Sequence, residues 1–514
     1  MSRLLVVCFT SVLNIISICE ASRILAYYPT PSISHQVVFR PLSLELAKRG
    51  HEVVVITPDP IFPNGTAPEN LIEIDVHDLS YRTWRKSIQE YANKMASSQF
   101  ASMLKSMISL MEEQVKTEPV QKILKDPRPF DLIIVEAIAV CTLGLVHIYK
   151  APVIQFSSLA STTIPLQMFG ATTHPLLYPT FFHHRIYNLT LRDKLNELYD
   201  EHVYNALFPE VDEFCLDVMK RVFSPDVPTV GELRNNVDLY FLNVHPLWDF
   251  NRPVPPNVVY LGGMHQKPAK DLPKDLQNYL DSSKNGVIYV SFGSNVEPAL
   301  FPPEKIQTLV DVFSKLPYDI LWKWNQDKLP GRTPYIRISK WFPQPDLLRH
   351  PKIKLFVTQC GLQSTDEAIT AGVPLLGMPV FGDQEFNAEQ YLHYGIGVRV
   401  DLETVTEEKL NEGINKILKD DSYRNNIVRL RTIMRDQPQT PLERAVWWTE
   451  YTIRHSGARH LRTPAANISL AEYYELELVV TVLFVVGLAL GVVIGVLRYT
   501  YVKLFRVTLK VKKN

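Results

Sequence analysis

A surplus of one charge sign is missing from this sequence: Lys+Arg and Asp+Glu number 54 each. A nucleic-acid partner calls for a basic excess or stripe, so that class loses its support. Cysteine is scarce, limited to Cys8, Cys19, Cys141, Cys215 and Cys360. The first two fall in a segment expected to be cut away. The other three make neither a disulfide framework nor a zinc site, although one pair could still bridge. Internal repeats and low-complexity segments are absent. There is no G-x-G-x-x-G fingerprint and no P-loop, which removes support for NAD and ordinary NTP binding. No G-x-S-x-G elbow occurs either, which weakens a hydrolase built on His35 and Glu136.

What is present is length and apolar mass. The 514 residues are 46% hydrophobic and 21% charged, enough for two ordinary domain cores. Both ends address membranes. Residues 1–21 open with Arg3, run apolar from Leu4 to Ile18 and reach Cys19-Glu20-Ala21. The short apolar core and small residues before a cut read as a secretory signal; a buried N-terminal strand or an uncleaved anchor is the alternative. Residues 478–497 carry no charge and are long enough to span a bilayer. Glu472, Glu475 and Glu477 precede them, and Arg498, Lys503, Arg506, Lys510, Lys512 and Lys513 follow. Cationic flanks stay in the cytosol, so 498–514 is expected as a cytosolic tail with the body lumenal. Gly487, Gly491 and Gly495 form a small-residue face for helix packing and a possible homo-oligomer, or are simply the glycines common in spans. The ending Lys510-Val511-Lys512-Lys513-Asn514 resembles a dilysine retrieval signal, or is plain positive-inside charge. The expectation is a single-pass type I protein of the endoplasmic reticulum membrane. Asn64, Asn188 and Asn467 head glycosylation sequons on the expected lumenal side.

The body alternates strand and helix. Arg23–Tyr28 reads as a strand, Val37, Val38, Leu42, Leu46 and Ala47 recur at helical spacing, and Val53–Thr57 is a β-branched run. This is a βαβ unit on a buried parallel sheet. Residues 131–135 read as another strand, and 82–125 and 180–225 as helical. A second set begins near residue 285, with strands at 286–291, 319–324, 353–358 and 374–379 and helices at 303–316 and 364–371. The proline-rich stretch 252–257 reads as the linker. Two Rossmann-like domains facing a cleft follow, with expected bounds 22–250 and 251–460. Ligands of such sheets bind beyond the carboxyl ends of strands, at helix N-termini. The loops that fall there carry His35, Glu136, Gly293-Ser294 and Gln359-Cys360-Gly361-Leu362-Gln363-Ser364.

Three blocks now carry a resemblance. They are Trp341-Phe-Pro-Gln344-Pro-Asp-Leu-Leu-Arg-His-Pro351, Phe356-Val-Thr-Gln359-Cys-Gly361-Leu-Gln363-Ser364-Thr-Asp-Glu367-Ala368, and Gly372-Val-Pro374 through Gly382-Asp383-Gln384. Together they resemble the signature of the UDP-glycosyltransferase family. Ser34-His35, Arg49-Gly50-His51-Glu52-Val53 and Leu261-Gly262-Gly263 agree, and the likeness covers essentially the whole chain, nearest to membrane-bound animal and insect members. It implies the GT-B architecture, an acceptor-binding first domain, a UDP-sugar-binding second domain, inversion at the anomeric carbon, and no metal or cofactor.

The resemblance also implies roles, each with a plainer alternative. Trp341 would stack on uracil, or be a core residue. Gln344 would bond base or ribose, or cap a turn. Ser294, Gln359 and Ser364 would contact the diphosphate at a helix N-terminus, with Gly361 and Gln363 also in the UDP-sugar site. Ser364 also fits a capping box with Glu367, which the resemblance assigns to the ribose hydroxyls. Asp383 and Gln384 would hold sugar hydroxyls, or merely turn a loop. His35 would be the general base, and Glu136 would hold its tautomer, or complement a helix dipole.

Three departures stand out. The family usually has Asp at Glu136, His at Gln359 and Gly at Cys360, and Cys360 is expected to add a side chain near the donor. Glucuronate-using members of the family place an Arg ahead of the interdomain linker, and none occurs around 241–245, so the resemblance implies a neutral sugar, glucose first. The expected reaction is hexose transfer to a small lipophilic hydroxyl acceptor, with a role in detoxification. The alternatives are glucuronate transfer and a non-catalytic GT-B accessory subunit.

Overall fold

The computed structural model describes residues 21–63, 65–91, 96–295, 298 and 301–511. The expected signal segment, Asn64 and the terminal Lys512 and Lys513 lie outside the described residues. The body, through Arg462, and the segment from Thr463 onward are separate compact units.

Two parallel sheets form the body. The first holds β1 (Arg23–Tyr27), β2 (Glu52–Thr57), β3 (Leu71–Asp75), β4 (Leu132–Glu136), β5 (Val153–Ser157), β6 (Leu239–Leu242) and β7 (Val258–Tyr260), in the order β3-β2-β1-β4-β5-β6-β7. The second holds β8 (Val287–Ser291), β9 (Asp319–Lys323), β10 (Ile336–Ser339), β11 (Ile353–Thr358), β12 (Leu375–Gly377) and β13 (Gly397–Arg399), in the order β10-β9-β8-β11-β12-β13. Strands β1, β4 and β8 are buried along their whole length. That is what helices on both faces of a parallel sheet require, and it explains the unbroken apolar runs.

The helices that place the site are α1 (Ile33–Lys48), α2 (Leu191–Val222), α3 (Gln344–Leu348), α4 (Leu362–Ala371), α5 (Gln384–His393) and α6 (Pro441–Arg454). Helix α2 starts later than residue 180 because Thr190 caps it, accepting from the Asp193 N–H at 3.2 Å. Of the stretch expected as helical over 82–125, the described residues form helices 77–91, 96–115 and 118–124.

The expected boundary at 250/251 is corrected. Residues 252–257 connect β6 to β7, and β7 pairs with β6 in the first sheet. The chain therefore leaves that sheet only after Tyr260. Helix α6 returns to it: Ala445 and Val446 are buried in one cluster with Val38, Leu42 and Leu46 of α1. The last helix of the body thus covers the first sheet. Cys141 and Cys215 form a disulfide across 74 residues with Cα atoms 5.5 Å apart. Proximity settles what spacing left open.

The C-terminal unit contains the helix Leu476–Val511, of which Leu476–Phe505 is long and apolar enough to cross a membrane. It extends past Leu497 because Tyr499, Tyr501 and Val502 continue the apolar surface. It is compatible with a membrane anchor.

Candidate functional site

The loops at the carboxyl ends of the two sheets meet each other. Ser32, after β1, donates from Oγ to Asn295 Oδ1 after β8 at 3.1 Å. Gln363, in the first turn of α4, donates from Nε2 to the carbonyl of Ser158, after β5, at 2.9 Å. Trp248 Nε1 donates to Asn387 Oδ1 of α5 at 2.8 Å. The contacts between halves therefore lie where ligands of doubly wound sheets bind.

His35 sits in the first turn of α1. Its Nδ1 lies 3.0 Å from Glu136 Oε1. Glu136 closes β4, is fully buried, and accepts the Thr30 N–H on Oε2 at 3.2 Å. A buried carboxylate only accepts, so it places the proton on His35 Nδ1 and leaves the Nε2 lone pair as a base. A strand-end residue, Glu136 starts no helix, and the dipole-complement alternative falls. The extra methylene relative to Asp is taken up without loss of contact. Ser158 Oγ also lies 2.8 Å from Nδ1, a partner with no sequence signal.

On the second sheet, β8 opens into Phe292-Gly293-Ser294-Asn295. Gly293 has φ +76°, and a Cβ there would fall on the side-chain amide of Gln359. Gln359 is buried between Gly293 and Gly361, and its Oε1 accepts from Thr358 Oγ1 at 3.3 Å. Gly361 is the N-cap of α4; the Leu362 N–H is taken by Asp383, and the next N–H groups of the first turn have no intrahelical partner and lie beside this amide. Ser294 is exposed at the loop tip.

Ser364 is the third residue of α4, not its cap, so the capping-box alternative is excluded. The NH2 of Gln344 instead joins Ser364 Oγ at 2.9 Å and Glu367 Oε2 at 2.7 Å. Its carbonyl accepts from Tyr289 OH at 3.0 Å. Gln344 is thus committed to orienting Glu367 and Ser364, rather than presenting its amide outward. Burial pushes the Glu367 carboxyl up to about 7, opposed by Gln344, Arg349 and Lys323. Burial and Glu367 push neighbouring Asp366 up to about 8.

Trp341 is 62% exposed, whereas Trp322 and Trp324 are core residues. The core alternative therefore falls for Trp341. Lys323 Nζ lies 4.5 Å from the Trp341 ring and donates to the Gly293 carbonyl at 2.9 Å. Burial lowers its pKa to about 8. Lys323 carries no sequence signal, because a Lys ending a strand is ordinary; it is a cation linking the indole to the Gly293 loop.

Asp383 caps α5 and accepts from Asn387 Nδ2 at 2.8 Å. Burial raises its pKa, with Asn387 and His35 acting against the rise. Gln384 Oε1 accepts the Val380 and Phe381 N–H groups at 2.8 and 3.1 Å, which shapes the loop. The expectation for Cys360 is corrected. Its φ is +71°, and its buried Sγ points away from the loop mouth, packed against Gly377 and Tyr391. Burial holds the thiol well above its ordinary pKa, so it is an inert core group. Gln363 differs too: its amide is spent on Ser158.

Asn188 and Asn467 are exposed with φ +52° and +66°. Thr190 and Ser469, two residues on, are engaged in helix caps.

The arrangement brings the His35 imidazole, the N-terminus of α4 and an exposed indole to the carboxyl ends of the two sheets. Residues 25–512 match the family model described as UDP-glucoronosyl and UDP-glucosyl transferase. The ecdysteroid UDP-glucosyltransferase of Spodoptera littoralis nuclear polyhedrosis virus is 37% identical over 495 residues, covering 92% of this chain and 96% of that protein. UDP-glucuronosyltransferase 2B14 of Oryctolagus cuniculus is 30% identical over 497 residues, covering 91% and 92%. The crystal structure of a UDP-glucose: anthocyanidin 3-O-glucosyltransferase in complex with UDP superposes with a TM-score of 0.59 at 18% identity, covering 85% of this chain and all of that one. That likeness establishes the GT-B fold alone.

Proposed function

The chain belongs to the UDP-glycosyltransferase family, and we propose that it transfers glucose from UDP-glucose to a small lipophilic hydroxyl compound, inverting the anomeric centre without a metal. One observation carries the reading: the His35–Glu136 pair lies across the domain junction from Asp383, whose carboxyl His35 influences. In this mechanism His35 Nε2 removes the acceptor proton as its oxygen attacks the anomeric carbon. UDP departs from the opposite face. Its charge meets the N–H groups of the first turn of α4 that follow Leu362, with Ser294, Gln359 and Ser364 beside them. Trp341 stacks on uracil, Glu367 takes the ribose hydroxyls, and Asp383 and Gln384 take sugar hydroxyls. The first half binds the acceptor and the second the donor.

The viral relative is named for ecdysteroids, which supports a lipophilic polyhydroxy acceptor and a detoxifying or hormone-conjugating role. The disulfide Cys141–Cys215 supports an oxidising compartment, in line with a signal peptide, lumenal body, dilysine tail and glycosylation at Asn64, Asn188 and Asn467. The glycine face of the span supports self-association.

The test offers UDP-glucose, UDP-galactose and UDP-glucuronate to microsomes carrying this chain, with phenolic, flavonoid and steroid acceptors, and detects conjugates by mass spectrometry. A hexoside from UDP-glucose that disappears in His35→Ala is expected. A glucuronide would overturn the donor assignment. Folded protein that binds UDP yet conjugates nothing would leave the accessory-subunit reading.

A further inference from the structure

We infer that Ser158 is a positioning residue for His35, and that Gln363 couples the donor-side helix α4 to it; the inference rests on the transferase reading above and adds to the same site. Ser158 follows β5 and is 3% exposed. Its hydroxyl oxygen lies 2.8 Å from His35 Nδ1, on the nitrogen that Glu136 already holds. A ring nitrogen carries one proton or one lone pair, never both. Because Glu136 can only accept, the Nδ1 proton is directed to Glu136 Oε1 with Ser158 Oγ as a second acceptor. The competing arrangement has the Ser158 hydroxyl donating to a bare Nδ1, which would put the proton on Nε2 and silence the base. Glu136 selects the competent tautomer, and the Ser158 hydroxyl reinforces it by accepting at Nδ1 and holding the ring in place.

Ser158 is itself gripped from both halves of the molecule. Its carbonyl accepts from Asn243 Nδ2, beyond β6, at 3.0 Å and from Gln363 Nε2, in α4, at 2.9 Å. The Gln363 backbone carbonyl lies 3.2 Å from His265 Nε2, which fixes this point of α4, and the side-chain amide is held by Ser158. Gln363 directly precedes Ser364 and lies one helical turn from Glu367, the two α4 residues assigned to the donor. A shift of α4 on donor binding is transmitted through one amide to the loop that orients the base. The charged groups that bear on His35 are Glu136 and Asp383; neither contacts Gln363 directly, so a Gln363 substitution leaves the charge around the ring unchanged.

The test uses full-length protein in microsomes, with Ser158→Ala, Ser158→Thr and Gln363→Leu beside the parent. Two readouts are taken. One is kcat and KM for UDP-glucose as a function of pH. The other is the pH midpoint of His35 carbethoxylation by diethylpyrocarbonate, followed by peptide mass spectrometry, which needs no turnover. For Ser158→Ala and Gln363→Leu, kcat falls roughly 10–100-fold, the size of one lost hydrogen bond to a charged group. KM for UDP-glucose stays within about twofold, as expected when ground-state donor binding is untouched. The modification midpoint moves to lower pH in Ser158→Ala, because the imidazolium has lost an acceptor, and Ser158→Thr restores both readouts. The proposal is overturned for Gln363 if Gln363→Leu raises KM with kcat unchanged. It is overturned for Ser158 if Ser158→Ala keeps the parent's kcat and midpoint. If even the parent turns nothing over, the transferase reading fails, and the modification midpoints alone decide this proposal: shifted midpoints uphold it and unshifted ones overturn it.

Discussion

His35 Nδ1 and Glu136 Oε1 stand 3.0 Å apart, with the carboxylate fixed at a strand end and the ring in the first turn of a helix. The Thr30 N–H holds the other carboxylate oxygen, so Glu136 cannot rotate away without stranding a buried charge. Glu136→Gln keeps the shape and removes the charge that stabilises the imidazolium. It is expected to lower kcat by roughly 10²–10⁴-fold, the range for a general base and its orienting acid. The donor KM should hold. Glu136→Asp shortens the reach and should cost less. Steady-state kinetics on both variants checks this, and an undiminished kcat in Glu136→Gln would remove Glu136 from the mechanism.

Trp341 exposes most of its side chain while Lys323 approaches its ring. Little of the fold depends on so exposed a ring, so Trp341→Ala should barely change the melting temperature. It should weaken UDP binding by the loss of one stacked base, about 1–3 kcal/mol. Isothermal titration with UDP, beside a melting curve, separates the two effects. A large drop in melting temperature with UDP affinity intact would return Trp341 to a structural role.

Gly293 and Gln359 occupy each other's only space. The positive φ of Gly293 and the amide lying against its Cα leave no room for a methyl group. Gly293→Ala should displace the Gln359 amide and weaken UDP binding. Gln359→Ala in the same chain should recover part of that loss, since it vacates the contested volume. A double-mutant cycle measures the coupling, and strict additivity would mean the contact has no bearing on the donor.

Much of this could be read from residue order, because parallel strands buried on both faces leave β-branched runs that periodicity exposes. The runs at 53–57, 286–291 and 353–358 correspond to β2, β8 and β11 for that reason. The domain boundary was not legible: Arg252 and its neighbouring prolines look like linker, yet Tyr240–Leu242 pairs with Val258–Tyr260, and only pairing reveals it. Individual roles divided in the same way. The roles of His35, Glu136 and Trp341 follow from the family resemblance, with the strand-to-helix loop of His35 as local support. The contacts of Ser158, Asn295, Lys323 and the saturated amide of Gln344 arise from residues far apart in the chain. Side-chain direction was equally hidden, as Cys360 shows: its neighbours in sequence face the junction while its own sulfur faces Tyr391.

Asp366 and Glu367 make the last prediction, because adjacent buried carboxyls carry a pH-dependent cost. Burial raises Asp366 from 3.8 to about 8 and Glu367 from 4.5 to about 7. Raised acids hold protons in the native state that the unfolded chain has already released. Stability is therefore fully present below pH about 4 and is lost as pH rises through 7 and 8, at about 1.4 kcal/mol for each unit of separation. Asp366 Oδ2 has no hydrogen-bond partner, so only the Gly263 N–H acts against the rise. Asp366→Asn removes that cost without changing the volume. Melting temperatures of the ligand-free protein should fall between pH 5 and 8.5, and fall less in Asp366→Asn. Donor binding has the opposite sign: ribose hydroxyls donate to an ionised Glu367, so UDP affinity is full above pH 7 and declines below it, by up to about tenfold per unit. Glu367→Gln should bind UDP weakly and without that dependence. A parent melting temperature that stays flat or rises across the window would show that these carboxyls ionise freely, and UDP affinity indifferent to pH between 5.5 and 7.5 would detach Glu367 from the ribose.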